Sequence, residues 1–134
     1  MKLTVHVDGG ARGNPGPAAA GAVVSDVDGR IVLEEGRPIG RATNNVAEYR
    51  AVLLGIELAG RLGADQLELV GDSELIVKQV RGEYKVKDAS LKHLHAEVTQ
   101  ELEGLSSWSI RHVRREQNVD ADRLVNDTLD GREP

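Results

Sequence analysis

Leu3, Val5 and Val7 alternate with Thr4 and His6, and a repeat of two places the apolar side chains on one face of a strand. This spacing predicts a strand over Lys2 to Val7 that ends at Asp8. Gly9 to Pro17, GGARGNPGP, reads as a loop, because its glycines and prolines disfavour a regular ladder. A second strand is expected near Ala20 to Ser25, then a hairpin turn at Asp26 to Arg30 and a third strand from Ile31 to Arg37. Strands joined in this way make an antiparallel meander.

The repeat then changes. Ala47, Ala51, Leu54, Leu58, Ala59 and Leu62 recur at helical spacing and Gly63 supplies a stop, so a long amphipathic helix follows Thr43-Asn44-Asn45. Leu67, Leu69 and Val70 predict a short strand, and Gly71-Asp72-Ser73 opens a helix running to Val80. Lys85 to Lys87 is a basic connector, Ala89 to Leu102 a further amphipathic helix, Trp108 to Val113 a last strand and Val119 to Leu129 a final helix. Hairpin-linked strands followed by helical crossovers imply an α/β architecture, a mixed sheet with helices on its faces and the first, fourth and fifth strands parallel. Functional groups of such sheets gather beyond the carboxyl ends of parallel strands, and Asp8 and Asp72 both fall there.

A chain of 134 residues, 40% hydrophobic and 29% charged, suits one globular domain over residues 1–134. With no cysteine it has no disulfide, no thiolate zinc site and no thiol nucleophile, which fits a reducing cytoplasm. MKLTVHVDGG lacks the apolar run of a signal peptide, and no window approaches the roughly 18 apolar residues of a spanning helix, so no membrane role is expected. The net charge of −5 has the wrong sign for a protein that holds nucleic acid mainly by phosphate neutralisation. With Tyr49, Tyr84 and Trp108 as its only aromatics, the chain would read a duplex by shape, backbone and sugar rather than by stacking on bases.

Four acids stand out, each with a plain structural alternative. Asp8 precedes two glycines that would let a ligand approach the backbone, yet it could simply cap a turn. Glu48 would be the third residue of a capping box if Asn45 is the N-cap, Asp72 could cap the helix at Ser73, and Asp122 could complement the positive end of the last helix. Convergence favours chemistry, since carboxylates crowded at one sheet edge repel unless cations neutralise them. Magnesium is the natural cation, and two ions about 4 Å apart can activate a water and stabilise a leaving oxygen in phosphodiester hydrolysis. The histidines do not form a zinc set: His93 and His95 are two apart on a helix and point apart, while His6 and His112 lie on predicted strands.

The run Asp8-Gly9-Gly10 with Gly13-Asn14-Pro15-Gly16-Pro17, then Thr43-Asn44-Asn45 with Glu48, Gly71-Asp72-Ser73, and Asn118 followed by Ala121-Asp122, resembles type 1 ribonuclease H over nearly the whole chain. The resemblance implies a ribonuclease H-like five-stranded mixed sheet with helices on both faces. It also implies an endonuclease that cuts the RNA strand of RNA–DNA hybrids to give 5′-phosphate products. Asp8, Glu48, Asp72 and Asp122 would be ligands of two Mg2+ ions, with Mn2+ able to substitute. Substrate contacts are expected from Gly9, Gly10, Asn14, Asn44, Asn45, Ser73 and Asn118, with Arg41 and Thr43 at a pocket for a DNA phosphate. Short amides can pair with the 2′-hydroxyl that distinguishes RNA from DNA.

The sequence departs from many bacterial relatives in having only RGEYKVKD where they carry an extra helix and a lysine-rich protrusion, which leaves Tyr84, Lys85 and Lys87 as a DNA contact or a solvated connector. The loop before Asp122 is short, and His112 falls on the strand pattern. Arg115, seven residues before Asp122, is therefore the expected catalytic partner, clamping the scissile phosphate rather than moving a proton. Two other readings are a hybrid-binding module without catalysis, whose sequence would lack a carboxylate, and an integrase or resolvase, which would lack the Gly-Asn-Pro-Gly loop and the Thr-Asn-Asn run. A monomer is expected, and the polar end from Asp130 to Pro134 would suit a linker to a further domain.

Overall fold

The computed structural model describes residues 1–131. Strands β1 (Lys2–Ala11), β2 (Gly16–Ser25), β3 (Ile31–Ala42), β4 (Gln66–Gly71) and β5 (Ser107–His112) form one sheet in the order β3-β2-β1-β4-β5. β1 pairs antiparallel with β2 and parallel with β4, and β4 is parallel to β5. Helices α1 (Asn44–Arg61), α2 (Glu74–Val80), α3 (Ala89–Glu103) and α4 (Val119–Leu129) pack around it.

Alternation along β1 divides the molecule. Leu3, Val5 and Val7 join Leu54, Leu58, Val98 and Leu102 in the main apolar cluster beneath α1 and α3. A smaller cluster on the other face joins Val23 to Ala121 and Leu124 of α4, so helices do cover both faces. Each fully buried Val or Leu stabilises by about 1.5–3 kcal/mol, so these two seams hold the fold while its polar edge is left for chemistry. Gly63, at φ +80°, closes α1 as expected, with the Leu62 and Ala64 N–H groups both donating to the Ala59 carbonyl.

The sheet is longer than the periodicity predicts. β1 does not end at Asp8 but continues through Gly9 and Gly10, which pair with Ala20 and Ala19 of β2. The loop expected over Gly9 to Pro17 shrinks to residues 12–15, closed by the Arg12 N–H donating to Pro17 O at 2.8 Å. β3 likewise extends past Arg37 to Ala42. Gly9 serves close packing and not a turn: a methyl group there would overlap the Ala47 carbonyl of α1. The helix caps also differ from two of the alternatives above. Thr43, not Asn45, caps α1, so Glu48 lies beyond the first turn and forms no capping box; Ser73, not Asp72, caps α2. Neither acid is a helix cap. The linker expected at the C-terminus falls largely on residues 132–134, outside the described residues.

These contacts separate the two glycines after Asp8. Gly9→Ala should destabilise the protein by about 3 kcal/mol through forced displacement of α1. Gly10→Ala, where the nearest atom to an added methyl is Val125 Cγ1 at 3.5 Å, should stay within about 1 kcal/mol of the parent in urea unfolding. Equal losses would contradict the close-packing role of Gly9.

Candidate active site

Asp8 sits on the central strand and points to the α4 face, only 6% exposed. Glu48 is brought beside it because α1 rests directly on Gly9, whose backbone N–H favours the charged form of the Glu48 carboxylate. Asp72 follows the end of β4, which the parallel register places next to β1, with Val7 opposite Gly71. Carboxylate oxygens of these three residues all lie within 4.8 Å of one another. Asp122, in the first turn of α4, lines the cleft beside them and its charge acts on the Asp8 carboxyl. The four acids line one cleft of about 390 Å³. A larger hollow of about 570 Å³ between β3, α1 and α3 lies away from these acids, so the chemistry of the lining and not its size picks out the site.

Crowding shows in the electrostatics. Burial, then the charges of Asp72 and Asp122, push the Asp8 carboxyl up to about 8. Burial and the charges of Asp8 and Asp72 hold Glu48 well above the usual carboxylate range, opposed by the Gly9 N–H and the positive charge of Arg115. Such a cluster takes up either protons or a cation. Its donors are all hard carboxylate oxygens with no sulfur or imidazole among them, a set that suits Mg2+ or Mn2+ and not zinc. The residues therefore fit the expected divalent metal.

Of the other expected site residues, Gly9, Gly10, Asn44, Ser73 and Arg115 line the same cleft. Arg115 does so from a short 3-10 turn, Arg115–Gln117, that periodicity does not predict, while His112 stays at the end of β5. Asn14 and Thr43 do not line the cleft themselves but stand behind Asn44, which does. Asn14 Oδ1 accepts from the Asn44 N–H at 2.9 Å, Asn44 Oδ1 accepts from the Ala11 N–H at 2.8 Å, and Thr43 Oγ1 accepts from the Val46 N–H. The first two bonds fasten the 12–15 turn and the end of β1 to the start of α1, and the third caps that helix. Arg41 is exposed near the end of β3 and Asn45 half-buried in the first turn of α1, neither lining the cleft. Asn118 differs from its expected role as a substrate contact, being 1% exposed with its Nδ2 donating to Val7 O at 2.9 Å. It ties the start of α4 to the strand beside Asp8.

Two polar residues of the cleft escape sequence reasoning, besides the apolar Ala11, Val125 and Leu129. Asn126 donates to the Asp122 carboxylate at 3.3 Å, a contact that i,i+4 spacing on the final helix could have suggested. Arg12 lines the cleft with its guanidinium on Asp130 at 2.6 Å, and no local signal joins residues so far apart in the chain. The connector between α2 and α3 is short, as expected, and Tyr84 there lies under the Lys78 ammonium, 5.0 Å from the ring centre.

The sheet order and its carboxylate cluster define a ribonuclease H-like domain. Residues 6–128 match the family described as reverse transcriptase-like. The chain is similar to the crystal structure of ribonuclease H1 from the halophilic archaeon Halobacterium salinarum, at 45% identity and a TM-score of 0.96, over 98% of this chain and 99% of that one. It is also similar to the N-terminal ribonuclease H domain of a Mycobacterium tuberculosis protein, at 42% identity and a TM-score of 0.94, over 98% and 95% of the two chains. A third similar structure is that of LC11-RNase H1 in complex with an RNA/DNA hybrid, at 40% identity and a TM-score of 0.92, over 96% and 97%. The chain belongs to the type 1 ribonuclease H family. It spans 65% of the full-length Halobacterium salinarum ribonuclease HI, with which it shares 46% identity over 96% of its own length, and 36% of a bifunctional Mycobacterium tuberculosis relative.

The crowded acids make stability depend on pH in a defined direction. Asp8 binds its proton more tightly folded, at about 8, than unfolded, at 3.8, so the metal-free protein loses stability as pH rises through that interval. Asp8→Asn removes the Asp8 share of this dependence and relieves part of that of Glu48. In chelator, the parent should melt several degrees lower at about pH 8 than at about pH 5, and Asp8→Asn should show a much smaller difference. A parent whose melting temperature rises over that range would refute the crowding account.

Proposed function

We propose that this domain is a metal-dependent endonuclease that hydrolyses the RNA strand of RNA–DNA hybrids and leaves 5′-phosphate ends. The observation that carries this reading is the convergence of Asp8, Glu48 and Asp72 within 4.8 Å, in a family that includes a protein crystallised with an RNA/DNA hybrid. In this reading Asp8, Glu48, Asp72 and Asp122 hold two Mg2+ ions, for which Mn2+ can substitute. When bound, the ions supply activation of the attacking water and stabilisation of the leaving oxygen.

The remaining steps belong to side chains and backbone. Gly10 keeps the floor of the cleft low, so a sugar-phosphate backbone can approach the acids, while Gly9, seated under α1, offers its backbone. Asn14 in the 12–15 turn and Asn44 and Asn45 at the start of α1 meet the RNA strand, where short amides can pair with 2′-hydroxyls, while Arg41 and Thr43 take a DNA phosphate. Ser73 supports the backbone beside Asp72, and Asn118 acts from beneath by holding α4 to β1. Arg115 offers a forked set of N–H donors and no base, so its part is to clamp the scissile phosphate and stabilise developing negative charge. The proposal extends to a monomer acting in the cytoplasm, a compartment that the cysteine-free sequence suits. Among the described residues no helix is long and apolar enough to cross a membrane.

The test is cleavage of RNA–DNA, RNA–RNA and DNA–DNA duplexes of one sequence, with and without Mg2+. The hybrid should be cut only with the ion, in its RNA strand alone, and Asp8→Asn or Asp72→Asn should abolish cleavage without unfolding the protein. Hybrid cutting at near-normal rates by either variant would sink the metal-site assignment.

A second comparison concerns Arg115, which lines the cleft, and His112, which stays at the end of β5. Arg115→Ala should lower kcat roughly 10²-fold, the scale for loss of one charge-stabilising donor, whereas His112→Ala should change it only a few-fold. Steady-state rates in the reverse order would show that the histidine and not the arginine serves the reaction.

A further inference from the structure

Glu48 and Asp72 reach the cleft from separate elements, so their spacing depends on how α2 sits against α1. Glu48 is pinned by the contact of α1 with Gly9. Asp72 stands at the junction of β4, which fixes its backbone from one side, with α2, which has only seven residues and fixes it from the other. The inner side of α2 carries Ile76, Val77 and Val80, and apolar contacts of this kind have no direction and tolerate small rotations and slides. Directional contacts come from elsewhere.

Gln79 is the one buried polar side chain of α2, 5% exposed. Its Oε1 accepts from the hydroxyl of Tyr49 at 2.6 Å, and Tyr49, next to Glu48 on α1, is completely buried. The Gln79 backbone carbonyl accepts from His95 Nε2 of α3 at 3.0 Å. The His95 ring also meets the Tyr49 ring edge-on, with centroids 6.4 Å apart and planes at 83°. Burial pushes the Tyr49 phenol up to about 12, so it stays protonated and acts as the donor in this bond. Three helices thus meet in one water-poor polar network, where each hydrogen bond is stronger and each unmet one more costly than at the surface.

We propose that Tyr49, Gln79 and His95 are positioning residues that set the separation of Glu48 and Asp72 and thereby the affinity of the carboxylate cluster for a divalent cation, a role that rests on the functional reading above. None of the three touches the reacting groups. The network acts by fixing the rotation of α2 and, through the Ser73 cap, the direction in which Asp72 enters the cleft. Supporting groups of this kind commonly govern metal affinity by 10–100-fold.

The experiment titrates Mg2+ and Mn2+ into the full chain by calorimetry, alongside melting in chelator and hybrid cleavage. Tyr49→Phe should weaken cation binding roughly 10-fold or more and lower kcat, with KM for the hybrid little changed. Tyr49→Phe combined with Gln79→Met removes both partners and should recover most of the melting temperature, yet leave cation affinity weak. Leu102→Ala, in the α3 core away from the network, should lower the melting temperature without changing affinity. The proposal is overturned if Tyr49→Phe binds cations normally, if the double variant regains affinity together with stability, or if Leu102→Ala weakens binding equally. A parent that binds no divalent cation overturns the functional reading and this inference together. A parent that binds cations and cuts hybrid while Tyr49→Phe matches it overturns this inference alone.

Discussion

Three carboxylates within 4.8 Å of one another are an unfavourable arrangement, and the neighbouring structure is built to hold them in it. Two unit charges about 4 Å apart repel by about 4 kcal/mol at an effective dielectric near 20, a sizeable fraction of the net stability of a domain. Burial of Asp8 sharpens the effect. What resists it is the apolar seam between α1 and β1, where a methyl at Gly55 would stand 2.7 Å from Val5 and 2.9 Å from Val7. The same close approach at Gly9 places Glu48 against Asp8. Stability gained in the core is thus used to keep charges together at its edge, where a cation gains most from them.

The charge balance becomes intelligible once the residues have positions. A net charge of −5 is unfavourable for a partner whose backbone is itself anionic, and part of that charge belongs to the acids in the cleft. Arg115 enters the same cleft, and Arg12 stands on its wall held by Asp130. Elsewhere acids are matched locally, as where Arg37 bridges Glu35 and Glu57 at 2.7 and 3.0 Å. The cleft therefore presents its own charge pattern, negative at the floor and positive at two points of the wall, which the overall sum conceals.

Support for the acids comes in successive layers of hydrogen bonds. Asn14 and Asn44 lock the turn after β1 onto the start of α1, Asn118 locks α4 onto β1, and Asn126 braces Asp122. The Oδ1 of Asn118 is buried with no hydrogen-bond partner, an unusual cost for an amide this deep. Its Nδ2 bond to Val7 lies one residue before Asp8, so part of that cost secures the position of the central acid.

Helical spacing from Ala47 to Leu62, the stop at Gly63, the strand at Leu67 to Val70 and the limits of the last helix were all legible along the chain, because each reports which face of an element is apolar. Glu48 and Asp122 were picked out by the family motifs around them, whereas the meeting of Asp8 with Asp72 was legible because both stand at the carboxyl ends of predicted parallel strands. The extension of β1 through Gly9 and Gly10 was not, since glycine in a turn and glycine under a helix look alike until the helix is in place. Nor was the burial of Asn118, the cap at Thr43, the Arg12–Asp130 pair or the contact of Tyr49 with Gln79, 30 residues away. Local sequence determines periodicity, turn chemistry and which residues can carry charge. Distances between carboxylates, the dryness of their surroundings and the partners that hold them depend on packing between distant segments, and only the tertiary structure decides those.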